Sequence, residues 1–116
     1  MPGLTVNGEL TLGENIGDLG GLAIAHRAYT ISRKGQSAPV IDNLTGDQRF
    51  FMGWAQAWRA KARENYLRQQ VLADPHSWAE FRANGPLGNI DAFYTAFNVR
   101  PGDKLYRAPE TRVKIW

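Results

Sequence analysis

Two carboxylates four residues apart, Glu14 and Asp18, are the first side chains whose spacing suggests chemistry. Residues at positions i and i+4 share one face of a helix, so both would project from the same surface of a helical segment. Such a pair is able to bind a metal ion, to support another metal ligand, or to remain solvated. The spacing alone favours the solvated interpretation, whereas the neighbouring glycines and apolar residues favour a packed, functional face.

The two histidines, His26 and His76, belong to different segments. His26 continues the helical series that contains Glu14, but it would lie about 18 Å along the axis from that residue. We therefore expect His26 to be a surface or packing histidine that cannot bind the same metal. His76 precedes Arg82 by six residues near a turn, where the two are able to bind a carbonyl or carboxylate group. A helix-capping histidine beside a surface arginine is the simpler alternative.

The remaining chemistry is largely defined by what the sequence lacks. It contains no cysteine, which excludes disulfides, thiolate zinc sites and cysteine catalysis, and it has no His-Glu-x-x-His helix, P-loop, Gly-x-Ser-x-Gly motif or dinucleotide fingerprint. A basic cluster follows two tryptophans, at Arg59, Lys61, Arg63 and Arg68. With a net charge of only +3, we expect a solvated helix face there and no nucleic-acid partner. By residue chemistry alone the catalytic site is incomplete.

Helices are the elements expected to position these side chains. Apolar residues recur at spacings of three and four from Glu14 to about Ser32, and this pattern predicts a first helix. Thr45 and Gln48 form a capping box that predicts the start of a second helix, which continues to about Ala73 with a possible bend near residues 63–65. Asp74-Pro75 is expected to end it.

Shorter elements complete the expected fold. Residues 3–12 alternate around Asn7-Gly8 and predict a β-hairpin. Residues 76–82 and 89–98 predict two short helices, and residues 109–116 a last helical turn. The length of 116 residues fits one domain, and no apolar stretch is long enough to cross a membrane. The predicted fold class is mainly α with a short β element near the N-terminus.

Several segments resemble the neprilysin-like zinc metallopeptidases. They are residues 6–21 (VNGELTLGENIGDLGG), 46–58 (GDQRFFMGWAQAW), 74–87 (DPHSWAEFRANGPL) and 94–97 (YTAF), together with the C-terminal Trp116. The motifs occur in the family's order and extend over nearly the whole chain. The resemblance implies the C-terminal, helical part of the peptidase domain of a zincin-type enzyme.

The resemblance also implies roles for individual residues. Glu14 matches the family's third zinc ligand, and Asp18 matches the acidic residue that orients a zinc-bound histidine. His76 matches the histidine that donates to the oxyanion of the tetrahedral intermediate. Arg82 matches the arginine that binds a substrate carbonyl. The pair Ala57 and Trp58 matches the lining of the pocket for the side chain just after the cleaved bond.

The chain departs from the family pattern at a few positions. Gly17 stands where the family usually has alanine, and Trp78 stands where proline often follows His-Ser. Val99 and Val113 replace cysteines of the animal enzymes. The largest departure is the missing His-Glu-x-x-His helix, which in the family precedes the motif that contains Glu14.

These matches predict the C-terminal segment of a zinc-dependent endopeptidase or oligopeptidase that hydrolyses peptide bonds. Its expected partners are a peptide substrate and the remainder of the peptidase domain. Alone, the chain should be inactive and bind zinc weakly at best. The alternative is a non-catalytic helical binding or assembly module derived from such a peptidase. A bare face on the Glu14 helix would favour self-association, and the family implies a periplasmic or otherwise extracytoplasmic location.

Overall fold

A computed structural model describes residues 3–115, and within this range the chain is built almost entirely from helices. The Trp116 that contributed to the family resemblance lies outside the described residues. The α-helices are α1 (Gly8–Ser32), α2 (Gly46–Ala57), α3 (Glu64–Ala73), α4 (Ala79–Asn84) and α5 (Asp91–Phe97), with 3-10 turns at Leu87–Asn89 and Pro109–Thr111. The mainly α fold predicted from the sequence is confirmed.

The predicted hairpin over residues 3–12 is wrong, because α1 already begins at Gly8. Asn7 is the N-cap of this helix, and its side-chain oxygen accepts hydrogen bonds from the backbone amides of Glu9 and Leu10, both at 3.1 Å. Asparagine is favoured both in tight turns and as a helix N-cap, and here the cap satisfies otherwise unpaired amides. The consequence is a 25-residue helix in which Glu14 lies well inside the first half.

The tight two-residue turn lies elsewhere, between Ile41 and Leu44. These two residues exchange backbone hydrogen bonds of 3.1 and 2.9 Å, and they form the isolated β-bridge of residues 3–115. Asp42 and Asn43 between them have positive φ angles of 52° and 61°. Both residue types tolerate this left-handed conformation, which a turn of this kind requires.

The predicted capping box at the start of α2 is confirmed. The backbone amide of Gln48 donates a hydrogen bond to the Thr45 hydroxyl at 3.2 Å. The backbone amide of Thr45 donates in return to the side-chain oxygen of Gln48 at 2.9 Å. The predicted single helix to Ala73 is wrong in its middle, because α2 ends at Ala57 and α3 starts at Glu64. The intervening residues 58–63 have no regular structure, and Trp58 is the C-cap residue of α2. The end of α3 before Asp74-Pro75 agrees with the prediction.

The hydrophobic core forms where α2 packs against α5 and the 3-10 turn before it. Its centre is Phe51, which is only 1% exposed and meets the ring of Phe93 edge-to-face at 5.6 Å. Leu22 contributes from the middle of α1. The remaining buried members of this cluster are Leu87, Ile90 and Tyr94. Leu19 and His26 flank Leu22 on α1 and also contact the core, whereas the turns that carry Glu14 and Asp18 lie before this contact region.

The short C-terminal helices follow the predictions with shifted bounds. The helix predicted over residues 76–82 begins at Ala79, so that His76 lies in the preceding loop. The helix predicted over residues 89–98 is α5, which ends at Phe97 and is followed by Asn98 in the left-handed conformation. No helix among residues 3–115 is long and apolar enough to cross a membrane.

Candidate active-site cluster

The first half of α1 presents Glu14 and Asp18 on one face, as their four-residue spacing predicts. The two carboxylates differ in environment, since the Asp18 side chain is 9% exposed and that of Glu14 is 43% exposed. Asp18 is therefore fixed by protein contacts, whereas Glu14 keeps an oxygen accessible from outside. One buried and one accessible carboxylate can serve different chemical purposes on the same helix face.

Arg82 from α4 joins the two carboxylates. Its guanidinium donates two hydrogen bonds to Asp18, at 2.6 and 2.7 Å, and one longer bond of 3.4 Å to Glu14. These bonds, and those to Asp18 above all, raise the pKa of the Arg82 guanidinium above its usual value. The guanidinium also lies 4.0 Å from the centre of the Trp58 ring. Planar, bidentate pairing of this kind fixes orientation as well as charge.

His76 lies between two carboxylates. Its Nδ1 is 2.7 Å from Oδ1 of Asp74, and its Nε2 is 3.3 Å from Oε2 of Glu14. The same Asp74 oxygen accepts the backbone amide of His76 at 2.8 Å. These bonds, with the backbone amide as the larger cause, lower the pKa of the Asp74 carboxyl. As an imidazolium, His76 is able to donate from both ring nitrogens.

Asp74 is a residue of the cluster that the sequence alone does not identify. Its position directly before a proline predicts only the end of a helix. The signal that could have identified it is the spacing Asp-x-His, because an aspartate readily accepts from a backbone amide two residues later and so comes next to that residue's ring. Asp74 thereby fixes which ring nitrogen of His76 faces Glu14.

A cavity of about 220 Å³ adjoins this cluster. Ala57 and Trp58 line it from the end of α2, and His76 and Arg82 line it from the opposite side. The residues to which the family resemblance assigns roles therefore lie close together, although they come from three separate segments. The indole N–H of Trp58 is buried and has no hydrogen-bond partner among residues 3–115.

The other candidates from the sequence lie apart from the cluster. His26 stacks on Phe51 at 5.2 Å and bonds to Asp47 at 3.1 Å, so it is a packing histidine, as its position along the helix predicts. Of the basic residues, Arg68 pairs with Glu64 on α3 at 2.7 Å. Arg59, Lys61 and Arg63 are exposed in the irregular segment after α2.

The donor set fits one part of a zinc site. Zinc in peptidases is bound by nitrogen and carboxylate oxygen ligands, commonly three from the protein with one position left open for water. Glu14 offers one accessible carboxylate of this type. Among the described residues, no group of three or more histidine, cysteine, aspartate or glutamate side chains is able to hold a metal ion. Glu14 therefore fits one ligand position of such a zinc site.

Comparisons with family profiles and with individual proteins identify the same family for this chain. The profile of peptidase family M13 matches residues 2–113. Neprilysin-3 of Drosophila melanogaster is 36% identical over 120 residues, and the match covers 100% of this chain and 15% of that protein. Neutral endopeptidase of Lactococcus lactis subsp. lactis is 38% identical over 110 residues, covering 95% of this chain and 16% of that protein.

A solved structure is similar over the same range. The crystal structure of Mycobacterium tuberculosis zinc metalloprotease Zmp1 with an inhibitor matches at a TM-score of 0.96 and 55% identity, covering 99% of this chain and 18% of that one. The chain thus spans less than a fifth of the length of each relative. Because the family profile and the structural match both extend over nearly all of it, the chain belongs to peptidase family M13, the neprilysin-like zinc metalloendopeptidases, and its fold is a helical subdomain of a zincin-type peptidase.

Proposed function

We propose that the chain supplies one side of the active site of a zinc-dependent endopeptidase that hydrolyses peptide bonds. The observation that carries the proposal is the convergence of Glu14, Asp18, His76 and Arg82 into one hydrogen-bonded cluster beside a cavity. The remainder of the peptidase domain, with a His-Glu-x-x-His helix, would supply the other zinc ligands. The chain by itself would be inactive.

In this proposal Glu14 is the third zinc ligand. When bound, zinc lowers the pKa of a bound water and polarises the peptide carbonyl. Asp18 would accept a hydrogen bond from a zinc-binding histidine of the preceding part and so fix the orientation of that ring. Each carboxylate oxygen accepts more than one hydrogen bond, so this role is compatible with the bidentate contact to Arg82.

The remaining residues of the cluster would act on the substrate. His76, held by Asp74 through Nδ1, would donate a hydrogen bond from Nε2, the nitrogen that faces Glu14, to the oxygen that becomes negatively charged during attack. Arg82 would donate to a carbonyl of the peptide and so set its register. Ala57 and Trp58 would contact the side chain after the cleaved bond, and an apolar wall there favours bulky hydrophobic residues.

The test is a reconstituted peptidase, in which this chain replaces the corresponding segment of the Mycobacterium tuberculosis enzyme. Identity of 55% and a TM-score of 0.96 make this exchange reasonable. We expect the reconstituted peptidase to hydrolyse peptides in a chelator-sensitive reaction. Glu14→Gln should lower its zinc content and abolish turnover. Glu9→Gln, the same change one and a half turns earlier on α1, should leave zinc content and turnover unchanged.

Two results would contradict the proposal. One is an equal effect of Glu14→Gln and Glu9→Gln on zinc content. The other is chelator-sensitive peptide hydrolysis by the 116-residue chain on its own, which would mean that the chain holds a complete site. Zinc content and turnover are measured on the same preparations, so that loss of metal is distinguished from loss of folded protein.

A second candidate function is a non-catalytic binding or assembly module. It is favoured by an apolar groove of about 710 Å³ between α1, α4 and the C-terminal segment. In the peptidase proposal the remainder of the domain covers this groove, whereas in the alternative another protein or a second copy does so. A folded, zinc-indifferent chain that forms a stable dimer in light scattering, and an inactive reconstituted peptidase, would favour the alternative.

A further inference from the structure

We propose that Asn15 and Ser77 form a positioning pair that sets the separation of Glu14 and His76. Each is the sequence neighbour of one of those residues, and the Ser77 hydroxyl donates to the side-chain oxygen of Asn15 at 2.8 Å. The inference rests on the proposed function, because it concerns residues that hold the proposed catalytic groups in register. Neither residue touches a reacting atom in this proposal.

The contact between His76 and Glu14 cannot fix its own geometry, so another contact is needed to explain their separation. The side chains of His76 and Glu14 are 45% and 43% exposed. Exposed ion pairs of this type contribute little free energy and do not define a separation. Asp74 orients the His76 ring on its own loop, but it makes no bond across to α1. The Arg82–Asp18 bonds hold α4 against α1, and a contact within the loop itself is needed to fix His76 next to Glu14.

The Asn15–Ser77 bond is buried at its Ser77 end, whereas the two side chains of the His76–Glu14 contact are 45% and 43% exposed. Ser77 is only 4% exposed. The amide group of Asn15 is itself fixed, because its nitrogen donates to the hydroxyl of Thr11 at 3.2 Å. Thr11 is 3% exposed and donates in turn to the carbonyl of Asn7, the N-cap residue of α1, at 3.0 Å. A continuous series of hydrogen bonds thus connects the start of α1 with the loop that carries His76.

The placement of buried polar side chains supports a functional reason for this series. Within residues 3–115, the buried polar or charged residues are Thr11, Asp18 and Ser77; Asp18 and Ser77 lie at the candidate site, and Thr11 lies one turn before Asn15 on α1. A buried polar group lowers stability unless its hydrogen bonds are satisfied, so apolar residues would suffice if packing were the only requirement. Two of the three belong to the Asn15–Ser77 series, and the third holds Arg82.

The activity test uses the reconstituted peptidase. Ser77→Ala should lower kcat about 10-fold, which corresponds to about 1.4 kcal/mol of transition-state stabilisation, and should leave KM within about 2-fold. The split is expected because the donation by His76 develops in the transition state. Asn15→Ala should have the same effect, and the double variant should be no worse than either single one, since both remove the same bond.

Ser32→Ala is the matched control. Its hydroxyl also donates a short hydrogen bond, of 2.7 Å to the carbonyl of Tyr29, but at the opposite end of α1. It should leave kcat and KM unchanged. Because Asn15 is exposed, its replacement is not expected to prevent folding, so it provides the test if Ser77→Ala is poorly folded.

A second readout is independent of activity and uses the 116-residue chain. Nuclear magnetic resonance relaxation should give the His76 amide an order parameter near 0.85 in the unchanged chain, falling below about 0.6 in Ser77→Ala and Asn15→Ala but not in Ser32→Ala. Unchanged order parameters together with unchanged kcat would overturn the positioning role. An inactive reconstituted peptidase would instead count against the proposed function, and the relaxation result would still decide the role of the pair.

Discussion

The core end and the site side of this molecule bury opposite kinds of side chain. The core end, formed by α2, α5 and the turn before α5, buries aromatic and aliphatic groups such as Phe51 and Phe93. The site side, formed by the first half of α1, the loop 74–78 and α4, buries polar groups and exposes apolar ones. Leu12, Ile16 and Phe81 there are 55%, 43% and 50% exposed.

This difference indicates which part of the fold depends on the chain alone. Burial of apolar surface at the core end provides the main favourable free energy of folding. On the site side, the exposed apolar groups line the large groove and are suited to contact with further protein. The buried polar groups meanwhile hold Arg82 and the His76 loop in place. The core end therefore specifies the fold, and in the proposed peptidase the site side would set the geometry of the active site.

The largest expected effect compares the same substitution in the two regions. Phe51→Ala should lower the free energy of unfolding of the chain by about 3–5 kcal/mol, because it removes a ring that is 1% exposed and leaves a cavity. Phe81→Ala on the site side should lower it by less than about 1 kcal/mol, since that ring is half exposed. Urea denaturation of both variants measures the difference. Equal losses would mean that the site side contributes to the chain's own core.

The sequence predicted the core end better than the site side, for physical reasons. The capping box at Thr45 and the apolar spacing of α2 are local signals, and both were interpreted correctly. Asn7 was misread because the same side chain satisfies a turn or a helix start, and only the following residues decide which forms. The break after Ala57 was placed too late, because the residues that follow are still good helix formers.

The grouping of the site residues could not be derived from spacing. Arg82 meets Asp18 across 64 positions of sequence, and no helical periodicity predicts such a contact. The family resemblance supplied the grouping, whereas Asp74 and Asn15 emerged only from the three-dimensional hydrogen bonds. The α1 glycines likewise differ in ways that the sequence does not predict: a side chain added at Gly17 or Gly21 would find nothing within 4 Å, whereas Gly20 is buried.

An intermediate effect on stability is expected when a glycine is replaced by alanine in each of the two regions. Gly21→Ala should stabilise the isolated chain by about 1 kcal/mol, since alanine is the better helix former and the surrounding space is open. Gly46→Ala is the control from the packed region and should destabilise it, because a Cβ there would collide with the Tyr29 hydroxyl and the Ala38 side chain.

The same variant then tests whether the open face is covered in the whole enzyme. In the reconstituted peptidase, the gain from Gly21→Ala should disappear if the preceding part of the domain packs closely on this face of α1. Gly17→Ala, which introduces the residue usual in the family, should stabilise both forms. Thermal unfolding of the two forms measures this, and an undiminished gain from Gly21→Ala in the reconstituted peptidase would show that the face stays open.

The smallest expected effect concerns the ion pair that links the core end to the groove. Asp91 at the start of α5 lies 2.7 Å from Arg112, whose neighbour Val113 lines the groove. Hydrogen bonds from Arg112, and then from Lys114, lower the pKa of the Asp91 carboxyl. A lowered pKa in the folded state means that the pair stabilises the fold above the unfolded-state pKa of about 3.9 and ceases to do so as the pH falls through the folded-state value.

Asp91→Asn should therefore lower the free energy of unfolding at pH 7 by less than about 1 kcal/mol, a small value because the Asp91 side chain is 59% exposed. The loss should shrink below pH 4 and also in high salt, which screens exposed charges. Glu110→Gln, at an exposed carboxylate with no ion pair among the described residues, is the control and should show neither dependence. A loss from Asp91→Asn that is the same at pH 7 and pH 2.5 would show that packing of Arg112 on the Tyr94 ring, 3.6 Å away, holds this segment without the charge pair.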